Sequence, residues 1–242
     1  MTLMPKFHLN QRCRRTKHLA AILFFGILAS CSNPETPTLA QPHPYRILFL
    51  GNSITFHGAN SSLGWNGDWG MAASVEDSDY VHQLIRKIRS NNPTDSVFYR
   101  AKNIAAWEGD FSVDPHALID TAGFHPNIVV IRLGENVPDT TTPTRYFNEL
   151  NKLIGSFQSD TIKVLVTGNF WASAWKDSVQ HQAALKMGCP FADFAAISSD
   201  SSHNQATGLF SNGAVARHPS DQGMRAMSDS IYSQLVSNSI LR

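Results

Sequence analysis

The chain has 242 residues, 42% of them hydrophobic and 16% charged, with a formal net charge of +1 and three cysteines. That length can bury a sizeable core, and three cysteines are too few for a disulfide scaffold. The balanced charge, with no basic stripe, argues against a nucleic-acid partner.

The first 30 residues read as an address. Lys6, Arg12, Arg14, Arg15 and Lys17 form a basic region without an acidic residue, and Leu19 to Ala29 is an apolar run too short to span a bilayer comfortably. The run ends in Leu28-Ala29-Ser30-Cys31, which resembles a bacterial lipobox, a signal whose cysteine is diacylated and becomes the first mature residue. Residues 1–30 are therefore expected to be a lipoprotein signal peptide, with Cys31 as the lipidation site. Ser32 follows, not the Asp that retains such proteins at the inner membrane, so outer-membrane anchoring is expected where the host has two membranes. Loss of the five leader cations from the 20 Lys and Arg leaves 15 against 19 acidic residues, a mildly acidic mature chain. Cys13 departs with the leader and Cys31 carries lipid, so Cys189 has no disulfide partner and reads as a buried thiol. Residues 31–43, rich in Pro, Thr, Ser and Gln, read as a flexible tether, and residues 44–242 as one domain.

Within the domain, apolar runs alternate with helical patterns. Ile47–Leu50 is the first expected strand. Tyr80, Val81, Leu84, Ile85 and Ile88 follow at helical spacing, with Asp79 as N-cap. Ser96–Ala101 is a second strand and Ile128–Leu133 a third, its apolar continuity suiting a central parallel position. Tyr146, Phe147, Leu150, Leu153, Ile154 and Phe157 mark a helix, Ile162–Val166 a fourth strand, and Phe191–Phe194 a short fifth. Met224, Met227, Ile231 and Leu235 line a last helix opened by Ser220 or Asp221. The alternation predicts a three-layer α/β/α fold around a parallel sheet of about five strands, with its site beyond the strands' C-terminal ends.

Candidate residues fall at those ends. Leu50-Gly51-Asn52-Ser53-Ile54-Thr55 follows the first strand, so the Ser53 hydroxyl can point into a cleft, although a serine there can also simply cap a helix. Gly134-Glu135-Asn136 follows the third strand, and the Asn136 amide can donate to a developing oxyanion or merely shape a turn. Arg217-His218-Pro219-Ser220-Asp221-Gln222-Gly223 lies near the C-terminus. A serine becomes a nucleophile only when a base takes its proton, and a neutral imidazole is the usual base.

These three blocks, in this order, resemble those of the SGNH hydrolase (GDSL-like esterase/lipase) superfamily, over nearly all of the chain from Tyr45 on. The resemblance implies Ser53 as nucleophile, His218 as base, and an oxyanion site made by the Asn136 amide and the Ser53 N–H. It also implies a third donor, a backbone N–H at a glycine after the second strand. Asn103-Ile104-Ala105-Ala106-Trp107 has no glycine there, and Ala105 is placed in that role. The family's usual acid, three residues before the base, is replaced by Val215. A backbone carbonyl near Val215 orienting Nδ1–H is the favoured reading, an arrangement similar to that of some SGNH carbohydrate esterases. A carboxylate from Glu135 or Asp193, or loss of catalysis, are the alternatives. Asp221 reads as a helix cap, and His57 as a surface histidine and not a second base.

All five tryptophans follow strand ends. Trp65, Trp69, Trp107 and Trp171, together with Glu135, are the expected substrate-binding residues, aromatic faces suiting the apolar faces of sugar rings; closing small local cores is the competing reading. The expectation is an exported, lipid-anchored serine esterase acting on O-acetyl or other short acyl esters of carbohydrate. A lipase or thioesterase of the same fold, or a glycan-binding lipoprotein without catalysis, are the rivals. No cofactor is implied, and no histidine spacing suits a metal.

Overall fold

The computed structural model describes residues 42–119 and 123–242. The expected signal peptide, Cys31 and the tether up to residue 41 lie outside the described residues. Chain order within them begins at the expected tether's end, where the His43 N–H donates to Asp95 Oδ1 at 2.8 Å.

Five parallel strands, β1 (Tyr45–Gly51), β2 (Val97–Asn103), β3 (Ile128–Arg132), β4 (Lys163–Thr167) and β5 (Phe191–Ala192), form one sheet in the order β2-β1-β3-β4-β5. Helices flank it on both faces, as the strand–helix alternation predicts. The strands carry two-faced apolar patterns because successive side chains point to opposite sides. Ile47, Phe49 and Val130 pack beneath α1 (Tyr80–Asn91) and the C-terminal helix. Leu48, Leu50, Val129 and Ile131 pack against the other layer. That layer holds α2 (Ala105–Gly109), α3 (Pro143–Phe157) and α4 (Ala174–Met187). The fifth strand is shorter than expected, because the chain turns at Asp193, whose carboxylate accepts from the Ala195 N–H, and α5 (Ala195–Ser199) begins.

Three further helices complete the C-terminal third: α6 (Ser201–Asn204), α7 (Gly213–Ala216) and α8 (Asp221–Ser237). Ser220 caps α8, its Oγ accepting from the Gly223 N–H; Asp221 does not cap it and instead accepts from the Ser74 N–H and hydroxyl at 2.8 and 2.6 Å. Asp79 caps α1 as expected, accepting from the His82 N–H.

α4 was not anticipated. Its buried residues are Lys176, Val179, Gln180, Ala183 and Ala184, so its inward face is too polar and too small to register as an apolar stripe.

A third, smaller core joins the segment after β1 to the one before α8. Trp65, Met71, Ala72, Ala206 and Val215 are buried together there. This cluster holds the chain that carries His218 against the chain that follows Ser53.

Strand order reverses between β1 and β3, and parallel sheets of this kind place ligands in the crevice beyond the strand ends at that point. Gly51 pairs with both Asn103 and Arg132, so β2, β1 and β3 end level with one another.

Candidate active site

Ser53 sits in the turn immediately beyond β1. The turn is wound tightly by Asn52, whose carbonyl accepts from the N–H groups of Thr55 and Phe56 and whose side-chain oxygen accepts from that of Ile54. Gly51 is required at its entry, because a Cβ there would run into the Thr55 side chain and the Arg132 carbonyl. The result leaves Ser53 half-buried with its hydroxyl outside the turn's own hydrogen bonds, while the Ser53 carbonyl accepts from the Met71 N–H. Among the described residues the Ser53 N–H has no partner and is open to an oxyanion.

His218 comes to Ser53 from 165 residues away. Its Nε2 lies 2.8 Å from Ser53 Oγ, and its Nδ1 lies 2.9 Å from the carbonyl oxygen of Ala214. Local backbone geometry explains the second contact. α7 is capped by Asn212 and ends at once, and the His218 N–H turns back to Val215 O, leaving the Ala214 carbonyl for the imidazole. Val215, where the acid would stand, points its side chain into the third core cluster with no measurable exposure. A carbonyl accepts only, so it fixes the proton on Nδ1 and turns the Nε2 lone pair to the serine. The other candidate acids are elsewhere: Asp193 accepts from the Ala195 N–H, and Glu135 binds Arg132, Asn52 Nδ2 and the Phe170 N–H. His57 turns its Nδ1 to the neighbouring Gly58 carbonyl.

His218 is 8% exposed, and burial pushes its imidazole pKa down to about 4. The Ala214 carbonyl opposes this, Arg132 adds to it, and Glu135 and His57 act more weakly in opposite senses. A general base must be neutral, so kcat/KM for an ester is expected to hold as pH falls through 6.5 and to drop with a midpoint near 4. Stability changes earlier. The unfolded imidazole takes up a proton below its usual pKa near 6.5 while the folded one does not, so this group's stabilisation is lost between that pH and about 4. A pH–rate profile checks the first point; a midpoint near 6.5 would mean a solvated His218.

Asn136 is exposed beyond β3, after Gly134, whose φ of +132° and crowding by the Asn169 and Gln180 side chains admit no other residue. The Asn136 Nδ2 donates to Glu108 Oε2 at 2.7 Å, leaving its second N–H for substrate. Behind the site lies a buried polar network that the sequence reading missed. Arg132, at the end of β3, pairs with Glu135 at 2.8 Å and donates to Asn52 Oδ1 at 3.0 Å. Glu108 accepts from Gly134, Asn136 and Asn52. Burial first, then the charge of Glu135, hold the Glu108 carboxyl above its usual range. The one available signal was Arg132 itself, since a cation closing a buried strand demands a partner.

Several expected site residues are placed differently. The Ala105 N–H, the expected third oxyanion donor, is taken by Oδ1 of Asn103, at the end of β2, at 3.0 Å; the next N–H, of Ala106, has no partner among the described residues. Trp65 and Trp107 are each only 3% exposed and belong to the core, which rules them out as sugar platforms. Trp69 packs edge-on against Trp65 and donates to the Ala73 carbonyl. Glu135 is a buried ion-pair partner and not a hydroxyl-binding group. Trp171 does reach the site: its ring meets that of His218 edge-to-face at 5.1 Å and it donates to the Arg217 carbonyl. Among the described residues no group of three or more His, Cys, Asp or Glu side chains is placed to hold a metal ion.

No family model matches the sequence, and comparison with curated proteins gives no match. Solved structures that share the fold include several esterases and a lipolytic protein of the G-D-S-L family. A two-domain esterase active on acetylated mannans is 18% identical with a TM-score of 0.57, over 81% of this chain and 49% of its own. The psychrotrophic esterase EstA from Pseudoalteromonas sp. is 15% identical with a TM-score of 0.54, over 79% and 97%. A family two carbohydrate esterase from Cellvibrio japonicus is 15% identical with a TM-score of 0.51, over 83% and 62%. The chain thus spans about half the length of the mannan-active enzyme, and at these identities the likeness is one of fold.

Proposed function

We propose that the chain is a serine esterase that removes O-acetyl or other short acyl groups from carbohydrate. The observation that carries this is the relay from Ser53 Oγ to His218 Nε2 at 2.8 Å and from His218 Nδ1 to the Ala214 carbonyl at 2.9 Å. Ser53 Oγ attacks the ester carbonyl as His218 Nε2 takes its proton. The oxyanion forms against the Ser53 N–H and the free N–H of the Asn136 amide. His218 then gives its proton to the departing sugar hydroxyl, and Ser53 keeps the acyl group. Water attacks that ester by the same steps in reverse order, releasing the carboxylic acid and restoring the serine.

The carbonyl in place of a carboxylate sets the tautomer but stabilises imidazolium less, so a modest rate is expected and not a non-catalytic binder. Support for a sugar acceptor is narrower than the five tryptophans suggested: it rests on Trp171 beside the base and on the acetylated mannans of one structural neighbour. Export and lipid anchoring at Cys31 rest on the leader sequence and the lipobox resemblance.

A chain-length series of p-nitrophenyl esters, with acetate release from acetylated mannan and xylan, tests this. kcat/KM highest for acetate and release of acetate from a polysaccharide are expected. Preference for octanoate would transfer the chain to the lipase or thioesterase reading.

A further inference from the structure

The proposed chemistry gives no role to a buried carboxyl at the site. Glu108, on α2, has no measurable exposure, and its partners are N–H groups. Its Oε2 accepts from Asn136 Nδ2 at 2.7 Å, and its Oε1 accepts from the backbone N–H groups of Gly134 and Asn136, the latter at 3.3 Å. On its other side Oε1 lies 3.4 Å from the Nδ2 of Asn52, the residue before the nucleophile. One carboxylate therefore spans the turn that carries Ser53 and the loop that carries Asn136. Burying a carboxylate is costly, and a purely structural tie could have been made by a neutral amide.

The distinction lies in what a carboxylate cannot do. An asparagine amide has a donor end and an acceptor end and can flip about its last torsion, exchanging the two. Flipped, Asn136 would present a lone pair where the oxyanion needs a donor. Every group within hydrogen-bond reach of Glu108 is an N–H donor, three of them on Oε1, so the carboxyl acts as an acceptor on both oxygens and holds the amide with its nitrogen on Oε2. A neutral glutamine could pair with either orientation.

Resting on the esterase reading above, we propose that Glu108 is a positioning residue of the oxyanion site, holding the Asn136 amide with its nitrogen toward the cleft. It touches no reacting atom; its effect passes through Asn136. The carboxylate also fixes the Gly134–Asn136 backbone, so amide orientation and loop position are set together.

The test is a double-mutant cycle on the full chain, with kcat and KM for p-nitrophenyl acetate measured for wild type, Glu108→Gln, Asn136→Ala and the double variant. Glu108→Gln is expected to lower kcat about tenfold to hundredfold with KM nearly unchanged, below the full loss of an oxyanion donor. In the Asn136→Ala background the same change is expected to cost nothing further, because the amide it orients is gone. Glu108→Asp, which keeps a carboxyl and brings in no amide N–H, should retain more kcat than Glu108→Gln and carries the cycle if the glutamine variant does not fold. An equal loss in both backgrounds would mean Glu108 merely supports the fold and would overturn the proposal. A wild-type chain without ester turnover would instead sink the esterase reading, and the proposal with it.

Discussion

Ser53→Ala is expected to lower kcat for ester hydrolysis by about 10⁴–10⁶, the scale on which loss of a serine nucleophile is felt. The fold should survive, since the Ser53 hydroxyl has His218 Nε2 as its partner and the turn is held by Asn52, Thr55 and the Met71 N–H. Thermal melting should therefore be unchanged while turnover falls to background. The remaining oxyanion donors stay in place, so KM should move little. Parallel melting and kinetic measurements check both halves, and a variant that keeps more than a tenth of wild-type kcat would remove Ser53 from the mechanism.

His218→Ala is expected to cost nearly as much, about 10⁴–10⁶ in kcat, because the serine and its base act as one unit. The Ser53→Ala/His218→Ala double variant should then be no worse than either single one. Unlike Ser53→Ala, this change should also destabilise the chain by about 1–3 kcal/mol, since the Ala214 carbonyl loses its buried partner. Urea titrations of the two variants separate them: a lower midpoint for His218→Ala and none for Ser53→Ala. Additive kinetic losses in the double variant would mean that His218 acts on something other than Ser53.

The sheet was legible because its strands are nearly unbroken apolar runs bounded by turn residues. Even the two-sided burial of Ile128 to Arg132 follows from its composition. Ser53, Asn136 and His218 were legible as motifs, and their positions past strand ends followed from the sheet. The partner of His218 was legible only in outline: Val215 excluded a side-chain acceptor three residues back, but choosing Ala214 needs the turn geometry that sends the His218 N–H to Val215 O. Tryptophans misled where spacing was read as exposure. A residue can follow a strand end and still turn back under the loop, as Trp65 and Trp107 do. Glu108 was hidden because its partners come from loops 26 to 56 residues distant, and no local pattern marks such a carboxylate.

Covalent trapping tests the acyl-serine mechanism most directly. The chain is incubated with a p-nitrophenyl alkylphosphonate and its intact mass and peptide map are recorded. One phosphonyl adduct on Ser53 is expected in the wild type, absent from Ser53→Ala and strongly slowed in His218→Ala. Ester turnover in a chain that forms no adduct, or an adduct on a residue other than Ser53, would contradict the mechanism.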